Sequence, residues 1–129
     1  MIMNKERELV PGSVVYSKYS KFDGTESLGI FLIIYSESRD ITNMNQRNYL
    51  VMKMTTSLVG ESQYVVHVDS NKEVFMNQDG YVACSKLHTI SQEQIQKKFG
   101  ELSPSLMKKV YKVYHKFQFE VERQFLETI

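Results

Sequence analysis

The stretch IFLIIYSE, residues 30–37, begins with an unbroken run of β-branched, aromatic and other apolar side chains. The run is too short for an ordinary helix and lacks the polar positions that a helix surface requires. It therefore predicts a strand that is covered on both faces. We expect this strand to lie at the centre of the core and the remaining elements to pack around it.

Four further segments have the alternation or β-branched content of strands. They read PGSVVYSKY, YLVMKMTT, SQYVVHVD and YVACSKL, at residues 11–19, 49–56, 62–69 and 81–87. In SQYVVHVD, alternation predicts that Tyr64, Val66 and Val68 face one side while Val65 and His67 face the other. The sequence thus predicts five short strands joined by polar loops.

After residue 90 the hydrophobic period changes from that of strands to that of helices. Ser91 followed by Gln94 has the spacing of a capping box, and Gly100 suits a left-handed residue that ends a helix. A short helix is therefore predicted over residues 91–99.

A second, longer helix is predicted over residues 104–127. Ser103 followed by Pro104 is the expected start signal. Apolar residues then recur every three or four positions, at Leu106, Val110, Val113, Phe117, Val121 and Phe125. This stripe must pack on the sheet, on a second chain or on a protein partner.

Composition sets limits on the class of protein. A chain of 129 residues fits one domain, predicted as residues 1–129 with a loose arm at 1–10. The 16 basic and 15 acidic residues nearly cancel, so no generally basic surface is expected. Cys84 is the only cysteine; it sits in an apolar run and is expected to be a buried structural thiol in a reducing compartment. No apolar stretch approaches a membrane span, and no metal or nucleotide motif occurs. We therefore expect a cytoplasmic protein with neither metal nor cofactor.

The order of these motifs resembles that of the PemK/MazF family, the endoribonuclease toxins of bacterial toxin–antitoxin pairs. PGSVVYSKY resembles the opening strand of the family, and GTESLG, residues 24–29, resembles its glycine-bounded loop. LVMKMTTSL, residues 50–58, matches the strand that closes on Thr and Ser. Residues 81–110 resemble the final strand and helices. The resemblance covers residues 11–113.

The resemblance implies an overall fold and a function. The fold is mainly β: an SH3-like barrel of the CcdB/PemK type, with about five to seven strands, a short helix and the long C-terminal helix. The implied function is that of a homodimeric hydrolase, a metal-independent endoribonuclease that binds and cleaves single-stranded RNA. Attack of the ribose 2′-hydroxyl on the adjacent phosphate would begin cleavage. An antitoxin or another acidic protein is the implied partner.

Thr56 matches the threonine that the family places at the end of its third strand, so it is the predicted catalytic phosphate contact. Thr55 and Ser57 are its predicted substrate-binding neighbours. The family arginine before the second strand is missing, because Gly29 leads directly into apolar residues. Lys21 is the preferred substitute cation, and Arg47 is the second candidate.

Three further side chains are candidates for binding substrate. Lys53 lies within the third strand. His67 is a candidate general base, because an imidazole can take up a proton near neutral pH, or else a solvent-facing residue. His88 stands where the family carries a basic residue.

The lysines of the predicted helices and four aromatic residues each allow two interpretations. The lysines of the two helices bind an acidic partner or RNA phosphates, or they form a solvated face; they are Lys97, Lys98, Lys108, Lys109, Lys112 and Lys116. Tyr16, Tyr19, Phe22 and Phe31 are rings for base stacking or for the core. The alternative for the whole chain is a fold relative without catalysis, phage- or plasmid-encoded, that acts as an interaction module.

Overall fold

The computed structural model describes residues 8–37, 47–58 and 63–129. These residues form six strands and one long α-helix in the order β1 Ser13–Ser20, β2 Glu26–Ser36, β3 Asn48–Thr55, β4 Val65–Val68, β5 Gly80–Ser91, β6 Ile95–Glu101 and α1 Pro104–Thr128. The strands build one antiparallel sheet in the order β4-β5-β3-β2-β1-β6. The mainly β class is confirmed. β4 and β6 are the two edges and no ladder joins them within the described residues, so a closed barrel is not confirmed.

The sheet has a core on each side. The side under α1, here called the helix face, is formed by Val14, Leu32, Ile34, Met52, Met54, Val66, Val68, Val82, Cys84, Leu102, Leu106, Met107 and Val110. The opposite side, here called the far face, is formed by Leu9, Val15, Phe31, Ile33, Tyr49, Val51 and Ile90. The apolar run of β2 supplies alternate residues to both faces, and all of Phe31 to Ile34 is buried. The prediction of a doubly covered central strand is confirmed.

The predicted helix over residues 91–99 is wrong. The capping pair forms, since Ser91 N donates to Gln94 Oε1 at 2.9 Å, but it holds only a single 3-10 turn, Gln92–Gln94. The chain then continues as β6 because Ile95–Glu101 pairs with the edge of β1. Tertiary pairing thus overrides a local helix signal.

Gly100 does not adopt the left-handed conformation that was expected. Among the described residues, φ is positive only at Gly12 and Gly24. Gly100 lies in β6 opposite Val14, and the ring of Phe75 covers it so closely that an added Cβ would lie 2.6 Å from Phe75 Cγ. The glycine is therefore needed for close packing of a ring on the strand.

Helix α1 starts as predicted. Ser103 Oγ accepts a hydrogen bond from Leu106 N at 3.3 Å, and the buried carboxylate of Glu73 accepts one from Ser103 N at 2.6 Å. Its first half packs on the sheet through Leu106 and Val110. Phe117 still packs against Tyr64, with ring centroids 5.3 Å apart, whereas Val121 and Phe125 farther along the stripe are exposed within this chain.

Two expectations concern single residues of the core. Leu9 is buried on the far face, so the loose arm predicted for 1–10 is wrong at this position; residues 1–7 lie outside the described part of the chain. Cys84 is buried as predicted, and burial raises the pKa of its thiol to about 12. Within the described residues, no helix has the length and apolar character to cross a membrane.

Candidate functional site

A pocket of about 410 Å³ opens at one end of the helix face, where β2, β3 and β6 meet the segment that leads into β5. Its described lining residues are Ile30, Met54, Thr55, Thr56, Phe75, Met76, Asn77, Gln78, Asp79, Gly80 and Phe99. The walls are mainly apolar and aromatic, and the polar groups are hydroxyls, amides and one carboxylate. The volume lies within the range of small-molecule sites.

The segment between β4 and β5 forms one wall of this pocket. The Asp79 carboxylate holds the segment to its other end, because Oδ1 accepts hydrogen bonds from Ser70 N at 2.9 Å and Ser70 Oγ at 2.7 Å. The Ser70 N–H is also the main reason that the pKa of Asp79 lies below its ordinary value. The carboxylate that faces the pocket therefore remains ionised at neutral pH.

The end of β3 carries the predicted hydroxyl group of the site. Thr55 Oγ1 donates to Ser57 O at 3.1 Å and accepts from Ser57 N at 3.2 Å, a local turn that bends the chain away from the sheet. This turn places Thr56 at the pocket, exposed to solvent. Of the predicted hydroxyl group, Thr55 and Thr56 line the pocket, and Ser57 follows them directly in the chain.

No lysine or arginine is among the described residues that line the pocket. Lys97 contacts one of the lining rings, because its Nζ lies 5.1 Å from the ring centroid of Phe99. Sequence reasoning missed this contact because it assigned Lys97 to a helix face. The alternation of Lys97 and Phe99 in a strand would have placed both side chains on the side of Tyr16, the β1 partner of Lys97.

The two predicted substitute cations lie in different places. Lys21 is exposed in the turn between β1 and β2, where its N–H donates to Thr25 O at 2.7 Å. Arg47 precedes β3 and Thr56 follows it, so at about 3.3 Å per residue they lie roughly 25–30 Å apart. The structure therefore does not bring Arg47 to the threonine cluster.

His67 reaches the pocket wall through Asp79. Its Nε2 lies 3.2 Å from Asp79 Oδ2, and its ring centroid lies 5.4 Å from that of Tyr81. A proton on Nε2 that is shared with the carboxylate leaves Nδ1 as a hydrogen-bond acceptor. His67 is exposed, as its predicted position on the outer side of β4 requires.

Lys53 and His88 meet on the far face and not at the pocket. The His88 ring packs against Tyr19 and Phe31, with centroids 5.3 and 5.4 Å apart. Burial, followed by the positive charge of Lys53, lowers the pKa of His88. The arrangement favours a neutral, partly buried imidazole.

Of the four rings predicted for base stacking, Phe31 is in the core and Tyr19 packs on it. Phe22 is exposed in the turn after β1, and Tyr16 lies near Phe99 with centroids 6.5 Å apart. The rings that line the pocket are instead Phe75 and Phe99. Within the described ranges, no group of three or more His, Cys, Asp or Glu side chains is arranged to hold a metal.

The sequence matches the family model described as PemK-like, MazF-like toxin of type II toxin-antitoxin system, over residues 11–117. The chain belongs to this family. Among solved structures, this PemK/MazF-family chain is similar to an endoribonuclease in complex with its cognate antitoxin from Mycobacterial species. The TM-score is 0.62 and the identity 15%, over 84% of this chain and 93% of that one. Comparison with curated proteins finds no match.

Proposed function

We propose that this PemK/MazF-family protein is a toxin that binds single-stranded RNA and cleaves it without a metal. The observation that carries the proposal is the family match over residues 11–117, together with a pocket at whose mouth Thr56 stands. The likeness to an endoribonuclease bound to its antitoxin supports an antitoxin as partner. We further propose that the protein acts as a homodimer in the cytoplasm.

The proposed reaction is attack of a ribose 2′-oxygen on the adjacent phosphorus. The O2′–P bond forms, the P–O5′ bond breaks, and the products are a 2′,3′-cyclic phosphate and a 5′-hydroxyl. The 2′-hydroxyl proton needs an acceptor, and the charge that develops on the phosphate oxygens needs donors. The leaving 5′-oxygen takes up a proton from water.

The described residues supply one candidate for each role. The Thr56 hydroxyl donates to a phosphate oxygen, and Lys21 approaches from the β1–β2 turn as the cation. His67 accepts the 2′-hydroxyl proton, because its contact with Asp79 orients the ring and leaves Nδ1 as the acceptor. Thr55 and Ser57 hold the bend that presents Thr56.

Incubation of a long single-stranded RNA with the purified protein in EDTA, followed by mapping of the new ends, tests the proposal. We expect cuts that persist in EDTA and fall by about 10²- to 10³-fold in Thr56→Ala, the usual effect of removing a donor to developing charge. Thr128→Ala, at the far end of α1, is the matched control and should retain full activity. Absence of both cutting and RNA binding would overturn the proposal.

A second candidate is a catalytically inactive relative that binds a protein or nucleic acid. It is favoured by one observation, the absence of lysine and arginine from the described lining of the pocket. Expression in growing cells separates the two functions. Growth arrest by the wild type that is lost in Thr56→Ala supports the nuclease, whereas equal growth of both strains supports the inactive relative.

A further inference from the structure

We infer that the pocket beside Thr56 binds one unstacked nucleobase of single-stranded RNA, with Phe99 as its stacking ring. Asn77 and Gln78 read the edge of the base, and the neighbouring phosphate lies outside, at Lys97. The inference rests on the proposed function and adds the recognition element of the same site. It places a base inside the pocket and leaves the phosphate that Thr56 contacts at the pocket mouth.

The chemistry of the pocket interior excludes a phosphate. A phosphate needs cations or several backbone donors, and the charged group among the described lining residues is the Asp79 carboxylate. Ser70 and His67 already bind that carboxylate, so it has little capacity for a further donor. The apolar walls instead favour a neutral, planar group whose polar atoms lie along its edge.

Phe99 is placed for stacking by an irregularity in β6. Val14 pairs with Gly100 and Val15 pairs with Lys98, so Phe99 is the extra residue of a bulge. In such a bulge two residues, here Phe99 and Gly100, oppose one residue of the partner strand, Val14, and the strand bends locally. The Phe99 ring is thereby directed to the pocket, and 37% of its surface remains exposed.

The second aromatic ring of the lining, Phe75, packs closely on the backbone of β6. The ring of Phe75 lies on Gly100, the residue that follows Phe99. No room remains between this ring and the strand for even a methyl group. Ile30 and Met54 are paired neighbours of β2 and β3 and form the floor. A base entering the pocket therefore meets walls that need little further ordering, which reduces the entropic cost of binding.

The amide side chains give the pocket its capacity to discriminate. Asn77 and Gln78 are both exposed, and each carries a carbonyl acceptor and an NH₂ donor. This combination matches the adjacent donors and acceptors along a base edge, and single-stranded bases present those edges freely.

Lys97 completes the arrangement from outside. Its ammonium group over Phe99 makes the ring region positive on the solvent side. A chain whose base stacks within the pocket places its phosphates at the mouth, where a point charge of this kind attracts them. Lys98, its neighbour, is held by Glu8 O at 2.6 Å and Glu101 Oε2 at 2.8 Å and faces away.

Fluorescence anisotropy with short 2′-O-methyl RNA oligonucleotides, which bind but lack the attacking hydroxyl, tests the inference separately from cleavage. Phe99→Ala and Phe99→Leu should both weaken binding by about 5- to 150-fold, since stacking on one ring is worth about 1–3 kcal/mol per base. Phe99→Tyr should restore it. Phe119→Ala, which removes an exposed ring from the second half of α1, is the matched control and should bind as the wild type does.

Lys97 and the two amides give independent readouts on the same oligonucleotides. Lys97→Ala should lower the slope of log affinity against log salt by about 0.7, the value for one contact with a single strand. Arg123→Ala, which removes a positive charge from the second half of α1, should leave the slope unchanged. Asn77→Ala with Gln78→Ala should reduce the difference in affinity between oligonucleotides that differ in one base. Thermal unfolding of each variant confirms that the fold is intact.

The outcomes separate this inference from the proposed function. RNA cleavage and binding that are unaffected in both Phe99→Ala and Phe99→Leu would overturn the base pocket and leave the nuclease intact. Unchanged RNA binding with loss of binding to an antitoxin peptide would assign the pocket to a protein and also overturn the inference. A wild type that neither binds nor cuts RNA overturns both.

Discussion

The two faces of the sheet are both buried at their centres, yet they end differently. The helix face is covered by α1, and where the covering ends its apolar interior continues into the pocket beside Met54 and Phe99. On the far face, two polar side chains beside the core have hydrogen-bond partners. Ser13 Oγ accepts from Val10 N at 3.1 Å, and the Tyr49 hydroxyl donates to Gln92 Oε1 at 2.6 Å.

This difference between an apolar pocket and hydrogen-bonded polar groups indicates which side of the sheet is better suited to bind a ligand. A buried polar group that already has its hydrogen bond gains little from a new partner, whereas an apolar wall exposed to water gains from being covered. If the ligand site were located by the position of a cation alone, it would be placed on the far face, where Lys53 lies near His88. The shape and apolarity of the surface favour the helix face.

The largest expected effect is on the far face, from Phe31→Ala. Phe31 has no exposed surface and packs on Tyr19 and His88, so its loss leaves a cavity at the centre of the sheet. We expect the free energy of unfolding, measured in urea, to fall by about 3–5 kcal/mol. A loss below about 1 kcal/mol would show that the far face is not a packed core.

A smaller effect is expected on the helix face, and α1 itself offers the control. Val110 is fully buried and Val121, on the same stripe, is 54% exposed. Val110→Ala should lower the free energy of unfolding by about 2 kcal/mol, whereas Val121→Ala should change it by less than about 0.5 kcal/mol. Equal losses in the two variants would mean that the second half of α1 is covered in solution, by a second chain for example.

The smallest effect is a dependence on pH that belongs to the far face. The pKa of His88 is lowered in the folded protein, whereas in the unfolded chain it has the ordinary histidine value of about 6.5. Below pH 6.5 the unfolded chain therefore binds a proton at His88 more readily than the folded chain does. The stability present above pH 6.5 is therefore partly lost as the pH falls toward the folded-state pKa. His88→Gln should reduce this loss between pH 7.5 and 5.5 in urea unfolding, and His115→Gln on exposed α1 should not.

Much of the fold follows from local patterns in the sequence. The strand β2 can be predicted from its own apolar run, and the start of α1 from Ser103 and Pro104. Both signals lie within the element that they predict. β6 could not be predicted in this way. Its residues 95–101 become a strand only because the edge of β1 lies beside them, and that contact joins segments about 80 residues apart in the chain.

Only some residues of the site could be predicted from the sequence. Thr56 lies at the pocket because it ends a strand that the sequence marks clearly. Arg47 stands at the start of the third strand and Thr56 at its end, and because a strand is extended, the two residues are far apart. Lys97 and Phe99 were missed because a wrong helix gave their side chains the wrong direction.

The depth of Cys84 has a practical consequence. Its Sγ lies 3.8 Å from Val82 O and 3.9 Å from Val110 O, between β5 and α1, and the raised pKa keeps it in the thiol form. Since alkylating reagents attack the thiolate, this side chain is protected while α1 stays docked. The rate at which a maleimide dye labels the protein therefore becomes a built-in gauge of how often the helix lifts from the sheet.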